Sequence, residues 1–441
     1  MSDRVIGLGG AVATIIGFVI GISVFVLPGT LAASTGPAVV VTYVIASLFG
    51  VFSCVVAAQL GVCYPTSGGS FVAVDDLVGS VWAFLLVWCL VGAGSVGIAL
   101  LAYGLADYLG GVVTLDRRLV ALSAVLVFAV TNARGARASI GIQSILVALF
   151  LVALVVFVAA GISRIEMRNL QPFFATGWSP VWLAVIPAYF SYTGFMVIVE
   201  LAGEVRDPGR TIPKALFISF FLVLMTYTLV ALTVVGVVPW TELAGDAAPV
   251  ATAAAQVLPP SLVSIVTLTA VAAAASSING VLLGYSRDLH VLVRRGMLPR
   301  ATLFHARWMD AGSAGVVPIA MAASLAIVVG SGIEALAVQA VVGMLLVQGL
   351  LGVALLRLPG KRMDLYLDAG FRLPRPLLSF FASGLVGTSV LGITAVVASS
   401  LEQVGVAAAY CVTGVMLYLR QGRRTVAKER AKKRAKEDSH A

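Results

Sequence analysis

Two oily stretches of this 441-residue chain carry residues that an uninterrupted apolar helix has no use for. The first, TIIGFVIGISVFVLPG at 14–29, holds Gly17, Gly21, Ile22 and Ser23 near its middle. The second, AYFSYTGFMVIVE at 188–200, holds Phe190, Ser191, Gly194 and the carboxylate Glu200. Glycine accepts backbone angles that other residues resist, so both stretches are expected to come undone at these points. An undone helix bares peptide N–H and C=O groups. Inside a membrane those groups need partners from protein or a wet cavity. Bare N–H groups attract anions and bare carbonyls attract cations. A zwitterion offers both charges. Its carboxylate would meet the N–H groups around Ile22 and Ser23. Its ammonium would meet the carbonyls around Gly17–Val19 and Phe190–Ser191. Simple close packing of helices on Gly and Ser is the competing explanation for either stretch alone. The placement of the two, as the first and sixth of ten leading spans, favours a binding site.

The elements that carry these residues follow from composition. Sixty per cent of the residues are hydrophobic and 11% are charged, against about 25% charged in an ordinary soluble domain. No Lys, Arg, Asp or Glu occurs from Gly7 to Val74. A cleaved signal accounts for one short apolar run, not for runs that continue to residue 420, so the first is read as a retained membrane segment. At about 20 residues per crossing, the chain offers twelve spans. They are 9–33, 38–61, 80–104, 119–133, 138–161, 181–204, 213–238, 260–284, 315–331, 335–356, 377–397 and 402–420. Lipid excludes open strand edges, which makes them helices. The expected fold is an all-α integral membrane protein of twelve transmembrane helices.

With both termini in the cytoplasm, of the 29 Lys and Arg residues all but Arg117, Arg118, Arg164 and Arg168 fall on the inner side. That is a strong positive-inside bias. The net charge of +9 is therefore topological. The basic tail at 421–441 is expected to lie against anionic lipid. It lacks the aromatic residues of a nucleic-acid surface, and no nucleic-acid partner is expected. Cys54, Cys63, Cys89 and Cys411 share no metal-ligand spacing and read as small buried residues. His290, His305 and His440 form no metal triad, and the glycines of YPTSGG lack the GK[ST] ending of a phosphate loop. No metal site, cofactor or enzymatic cluster is expected.

The chain resembles the amino acid–polyamine–organocation superfamily. The resemblance rests on IIGFVIGISVFVLPG, on YPTSGGSFVAVDDLVG at 64–79 and on NARGARASIGIQ at 132–143. It rests also on FSYTGFMVIVELAGEVRDPGRTIPKA at 190–215 and SSINGVLLGYSRDLHVLVRRGMLP at 276–299. It implies a five-plus-five inverted-repeat core over residues 1–356, with repeats at about 7–161 and 181–356. Helices 11 and 12, at 377–420, would be peripheral. It implies secondary transport of amino acids or related amines. Gly21, Ile22 and Ser23 match the substrate-contacting break, Phe190 the aromatic gate, and Ser191 and Gly194 the break of the sixth helix. The family's small residue and glycine are replaced here by Ile22 and Ser23. Phe150 stands where some proton-coupled relatives carry a lysine, so that fixed charge is missing.

Glu200 is the candidate proton-coupling group, about 9 Å inward of Gly194 by helical rise. A carboxylic acid bonded to a neighbouring helix and an inner gate contact are the other readings of it. Glu204 is expected to pair with arginines of the inner loops, and Asp107 to cap the outer end of the third helix. Asn279 either lines the cavity or ties the eighth helix to a neighbour. Apolar walls point to a neutral or apolar amino acid. Glu200 keeps a polyamine or a cationic amino acid in view, and proton and sodium coupling both stay open. An exchanger, an exporter and a sensor that moves nothing are the rival functions. Oligomeric state is open.

Overall fold

The computed structural model describes residues 4–110, 115–246, 248–299, 302–303, 309, 313–330, 333–399 and 401–422. The tail beyond 422, His305 and His440 lie outside the described residues.

Helices fall at all twelve expected places. The first span is split into α1 (Leu8–Val19) and α2 (Ser23–Thr35). There follow α3 (Val39–Cys63), the short α4 (Gly69–Leu77), α5 (Ser80–Gly110), α6 (Arg117–Ala133) and α7 (Ala136–Ile162). The sixth span is α8 (Trp178–Phe190), a 3-10 turn at Thr193–Met196, and the single turn α9 (Val197–Glu200). Then come α10 (Pro208–Val237), α11 (Pro249–Val257), α12 (Pro260–Arg294) and α13 (Val316–Val329). The chain continues through α14 (Ile333–Lys361), α15 (Met363–Leu367), α16 (Arg375–Ser399) and α17 (Leu401–Leu417). Among the described residues, eight stretches are long and apolar enough to cross a membrane, the first of them running through α1, α2 and α3 (Leu8–Cys63). Two shorter apolar helices lie at Val316–Val329 and Gly405–Arg420.

The outward faces are as oily as the inward ones. On α7, Gln143, Val147, Phe150, Leu154 and Phe157 point inward and are buried. On its opposite face Ile145, Leu149, Val152 and Val155 stand 50–69% exposed. Both stripes repeat at helical spacing, and water is not a solvent for the outer one. The protein is a multi-pass membrane protein.

Helix ends differ from the expected spans where the apolar run and the helix part company. α5 continues to Gly110 and α12 to Arg294, well past the expected ends at 104 and 284. A hydrogen-bonded ladder needs no lipid, only partners for its polar side chains. Arg287 and Asp288, read from the sequence as the start of an inner loop, are thus buried residues of α12.

The end of the molecule where Ile6 meets Val205 is closed by polar contacts. Ile6 bridges to Val205, with Ile6 N donating to Glu204 O at 2.9 Å and Arg206 N donating to Ile6 O at 2.9 Å. Arg287 Nε donates to Glu204 Oε1 at 3.0 Å, and both side chains are buried. Glu204 therefore finds an arginine of the expected stretch, inside the protein rather than at its surface. The YPTSGG segment bends into α4, which packs under the sixth span: Gly68 N donates to Glu200 O at 2.9 Å. Arg362, between α14 and α15, clamps α4 to α15 by reaching Asp76 Oδ2 at 2.5 Å and Asp364 Oδ2 at 2.9 Å. Its guanidinium holds the Asp364 carboxyl below the usual carboxylate range. At the other end Asp107 pairs with Arg117, both half-exposed, as an interface residue does.

Candidate functional site: two helix breaks held face to face

Both expected breaks are present. α1 ends at Val19 and helical structure resumes at Ser23 through Gly21, whose φ of +46° lies in the left-handed region. α8 ends at Phe190, and the chain resumes a helical path only through the 3-10 turn that begins at Thr193. The side chain of Phe190 lies outside the described residues, so the gate read onto it is not described.

The carbonyls released by the first break are caught by side chains of other helices. Gly17 O accepts from Ser276 Oγ at 3.0 Å and from Ser277 Oγ at 2.8 Å, both on α12. Ile20 O accepts from Ser23 Oγ at 2.8 Å and from Tyr227 Oη at 3.0 Å. Ser23 Oγ and Tyr227 Oη are themselves 2.5 Å apart. In the sixth span Thr193 O accepts from Gln348 Nε2 at 3.4 Å, and Gln348 Oε1 accepts from Tyr189 Oη at 2.6 Å. Each pairing meets the demand that buried peptide groups find partners. Side-chain donors of this kind are also exchangeable, because a ligand that brings its own donors can take their place.

The two breaks touch. A Cβ on Gly194 would lie 2.7 Å from Phe18 Cδ1 and 2.9 Å from Val19 Cγ2, so the sixth span approaches the first as only glycine allows. Gly17 performs the same service toward α7, where a Cβ would stand 2.1 Å from Gln143 Nε2. Ile22 turns its Cδ1 toward Gly104 of α5 and stays half-buried, as do Phe18 and Ser23. The bulk of Ile22 thus forms wall toward α5.

Around this junction stands a group of tyrosines that sequence reading missed. Tyr43 of α3 stacks on Tyr227 of α10 at 5.2 Å, and Tyr192, between the two halves of the sixth span, lies 5.6 Å from Tyr227. Ser191 Oγ is buried against the hydroxyls of Tyr43 and Tyr227 without a fully formed hydrogen bond to either. Tyr43 Oη is likewise buried and incompletely bonded. Hydroxyls in that condition, beside bared peptide groups and an apolar wall, are what a small polar headgroup with an apolar tail requires. No local signal marks these tyrosines, since they come from three segments far apart in sequence.

Asn279 does not reach the junction. Its Nδ2 donates to Ser139 O at 3.1 Å and to Gln143 Oε1 at 2.7 Å. Its Oδ1 accepts from Asn132 Nδ2 at 2.8 Å and from Ser139 Oγ at 3.0 Å. Its polar capacity is taken up in tying α12 to α6 and α7, the second of the two roles expected of it. Asn279→Ala is expected to strand these buried partners and destabilise the fold by about 1–3 kcal/mol. Thermal unfolding in detergent checks this.

Glu200 is buried at the end of α9. Its Oε2 accepts a 3.4 Å bond from Ser70 N in the first turn of α4. The carboxyl group of Asp288 lies beside it. Glu200 therefore sits beyond the junction, within that closed end of the molecule.

Comparison with known proteins agrees with this architecture. The family model described as amino acid permease matches residues 6–418. A branched-chain amino acid permease of Lactococcus lactis is 29% identical over 317 residues, covering 65% of this chain and 67% of its own length. A branched-chain amino acid permease of Bacillus subtilis is 26% identical, covering 64% and 66% respectively. An uncharacterised transporter of Mycobacterium tuberculosis is 30% identical, covering 73% of each chain. With a match over nearly its whole length and two broken spans meeting at their bared peptide groups, the chain belongs to the amino acid permease family.

Proposed function

We propose that the protein is a secondary transporter of neutral or apolar amino acids, with its substrate held where the first and sixth spans come undone. The observation that carries this reading is the contact of the two breaks at Gly194, Phe18 and Val19, with bared carbonyls on both sides. The carboxylate of an amino acid is taken by the N–H groups at the start of α2, around Ile22 and Ser23. The ammonium replaces side-chain donors such as Tyr227 and Gln348 at the carbonyls they now occupy. The side chain meets Phe18, Ile22 and Val19. Those walls, and the names of the relatives from Lactococcus lactis and Bacillus subtilis, favour a branched aliphatic side chain. Glu200 is enclosed beneath the junction, so a cationic side chain finds no open carboxylate in this arrangement.

The reading includes twelve crossings, of which the first ten form two inverted five-helix repeats at about 7–161 and 181–356. Helices at 377–420 are peripheral, both termini are cytoplasmic, and the basic tail rests on anionic lipid of the cell membrane. With the closed end taken as the cytoplasmic one, Glu200 couples transport to a proton.

A panel of labelled amino acids offered to reconstituted vesicles tests the reading. Leucine, isoleucine and valine are expected to exchange across the membrane, and lysine, glutamate and putrescine to exchange at least about tenfold more slowly, since one missing charge partner costs well over 1.4 kcal/mol. Preference for lysine or putrescine would transfer the site to cationic substrates. Saturable binding with no movement under any gradient would make the protein a sensor.

A further inference from the structure

Asp288 was not singled out in the sequence, yet it is the most unusually placed ionisable residue described. It lies on α12, is 0% exposed, and faces Glu200, itself 2% exposed. Neither Asp288 oxygen meets an N–H or O–H donor in hydrogen-bond geometry among the described residues. Glu200, in contrast, accepts from Ser70 N and lies at the N-terminal end of the nine-residue α4, where a helix favours negative charge. The neighbouring charges are already committed. Arg287 is held by Glu204 Oε1, Leu283 O and Ser286 Oγ. Arg295, just past the end of α12, faces Asp75 of α4 at 3.7 Å. Asp76 is engaged by Tyr64 and Arg362. Tyr285, on the same helix as Asp288, stands close to both carboxyl groups, and His290 lies two residues beyond Asp288 with an interaction of its own.

Two carboxylates in contact inside protein repel strongly, and one shared proton removes the repulsion and supplies the missing bond. The donor pattern says which oxygen carries it. Glu200 has a backbone donor and the helix terminus, so it is the acceptor. Asp288 has nothing to accept, so it is the group that carries hydrogen.

A second feature points the same way. A cavity of about 10 Å³, close to the room of one water, lies against Glu200 and is lined also by Tyr285, Gln348 and Met196. Gln348 is the residue that caps Thr193 O at the sixth-span break. The cavity is walled mostly by apolar side chains, with Gln348 on the side of the junction and Glu200 on the side of the acid pair.

Resting on the transporter reading above, we propose that Asp288 and Glu200 form a single proton-binding site, with the proton on Asp288 and donated to Glu200, and that its occupancy holds the inner end closed. The proton reaches the pair from the junction side. It leaves to the cytoplasm when the inner half of the sixth span moves away from α12. Loss of the proton leaves two like charges side by side, which drives α9 from α12 and loosens the Arg287–Glu204 contact one turn further on. Acid therefore favours the inner-closed form and alkali favours inward opening. One proton is bound per pair.

The test uses full-length protein in vesicles, with labelled leucine as probe and an inwardly directed pH gradient. Wild type is expected to accumulate leucine. In Asp288→Asn and Glu200→Gln, gradient-driven accumulation is expected to fall at least about tenfold, whereas exchange at equal pH, which needs no net proton movement, falls far less. Asp288→Glu, which keeps the acid, is expected to restore part of the accumulation. Accumulation by Asp288→Asn at the wild-type level overturns the inference. So does a wild type that exchanges leucine but ignores the pH gradient, and in that case the permease reading stands. A wild type that moves no amino acid at all fails the underlying reading instead. Should Asp288→Asn not fold, infrared spectra of wild type decide: a protonated carboxyl band at neutral pH that disappears in alkali supports the pair, and its absence overturns it.

Discussion

Gly21→Val is expected to abolish leucine exchange while leaving a folded membrane protein. Gly21 sits at φ +46°, where a β-branched residue carries about 1–3 kcal/mol of backbone strain. Its new Cβ would also stand 2.7 Å from Ser277 Oγ, the group that holds Gly17 O. The strain and the displaced serine fall on the three residues that separate α1 from α2. Leucine affinity should drop at least about tenfold, because 1.4 kcal/mol is a factor of ten. The check is exchange in vesicles beside the elution profile of the detergent-purified variant. A monodisperse variant that exchanges at the wild-type rate would show that the break is packing and nothing more. Ser23→Leu tests the same place from its other edge, since it removes the hydroxyl bonded to Ile20 O and Tyr227.

The second large effect concerns stability. Glu204→Ala is expected to destabilise the protein by about 3–5 kcal/mol, because Arg287, 3% exposed, is left as a buried charge without its carboxylate. The double variant Glu204→Ala with Arg287→Met should recover much of that loss, since the uncompensated charge goes with its partner. Thermal unfolding of the three proteins in one detergent reads both numbers. Equal midpoints for the single and double variants would mean that the pair contributes no more than packing.

The sequence displays the breaks because their cause is local. Gly17, Gly21 and Ser23, and again Ser191 and Gly194, interrupt runs that otherwise read as apolar helix. The same locality explains the twelve places where helices stand. What holds the breaks is not local. Tyr43, Tyr227, Ser276, Ser277 and Gln348 reach the junction from four helices, and none has a spacing that marks it. Glu200 was visible as a carboxylate in an oily run. Its partner Asp288 was hidden, because the polar stretch from Ser286 looks like a loop and continues as helix. Asn279 was legible as a polar residue on the eighth span, but which way it faced depended on Asn132, Ser139 and Gln143 of two other helices. Cys89 and Cys411 are a further case: 322 residues apart, their sulfurs come within 3.8 Å beside a cavity of about 80 Å³ bounded by α5, α14 and α17.

That cavity also sharpens the test of where substrate binds. The most direct measurement is a cryo-electron microscopy structure of the protein saturated with leucine. Leucine density is expected between residues 20–23 and 190–194, with its carboxylate at the start of α2 and Tyr227 or Gln348 displaced from a carbonyl. Density in the cavity beside Cys89 and Cys411, with Gly194 still packed on Phe18 and Val19, would contradict the account.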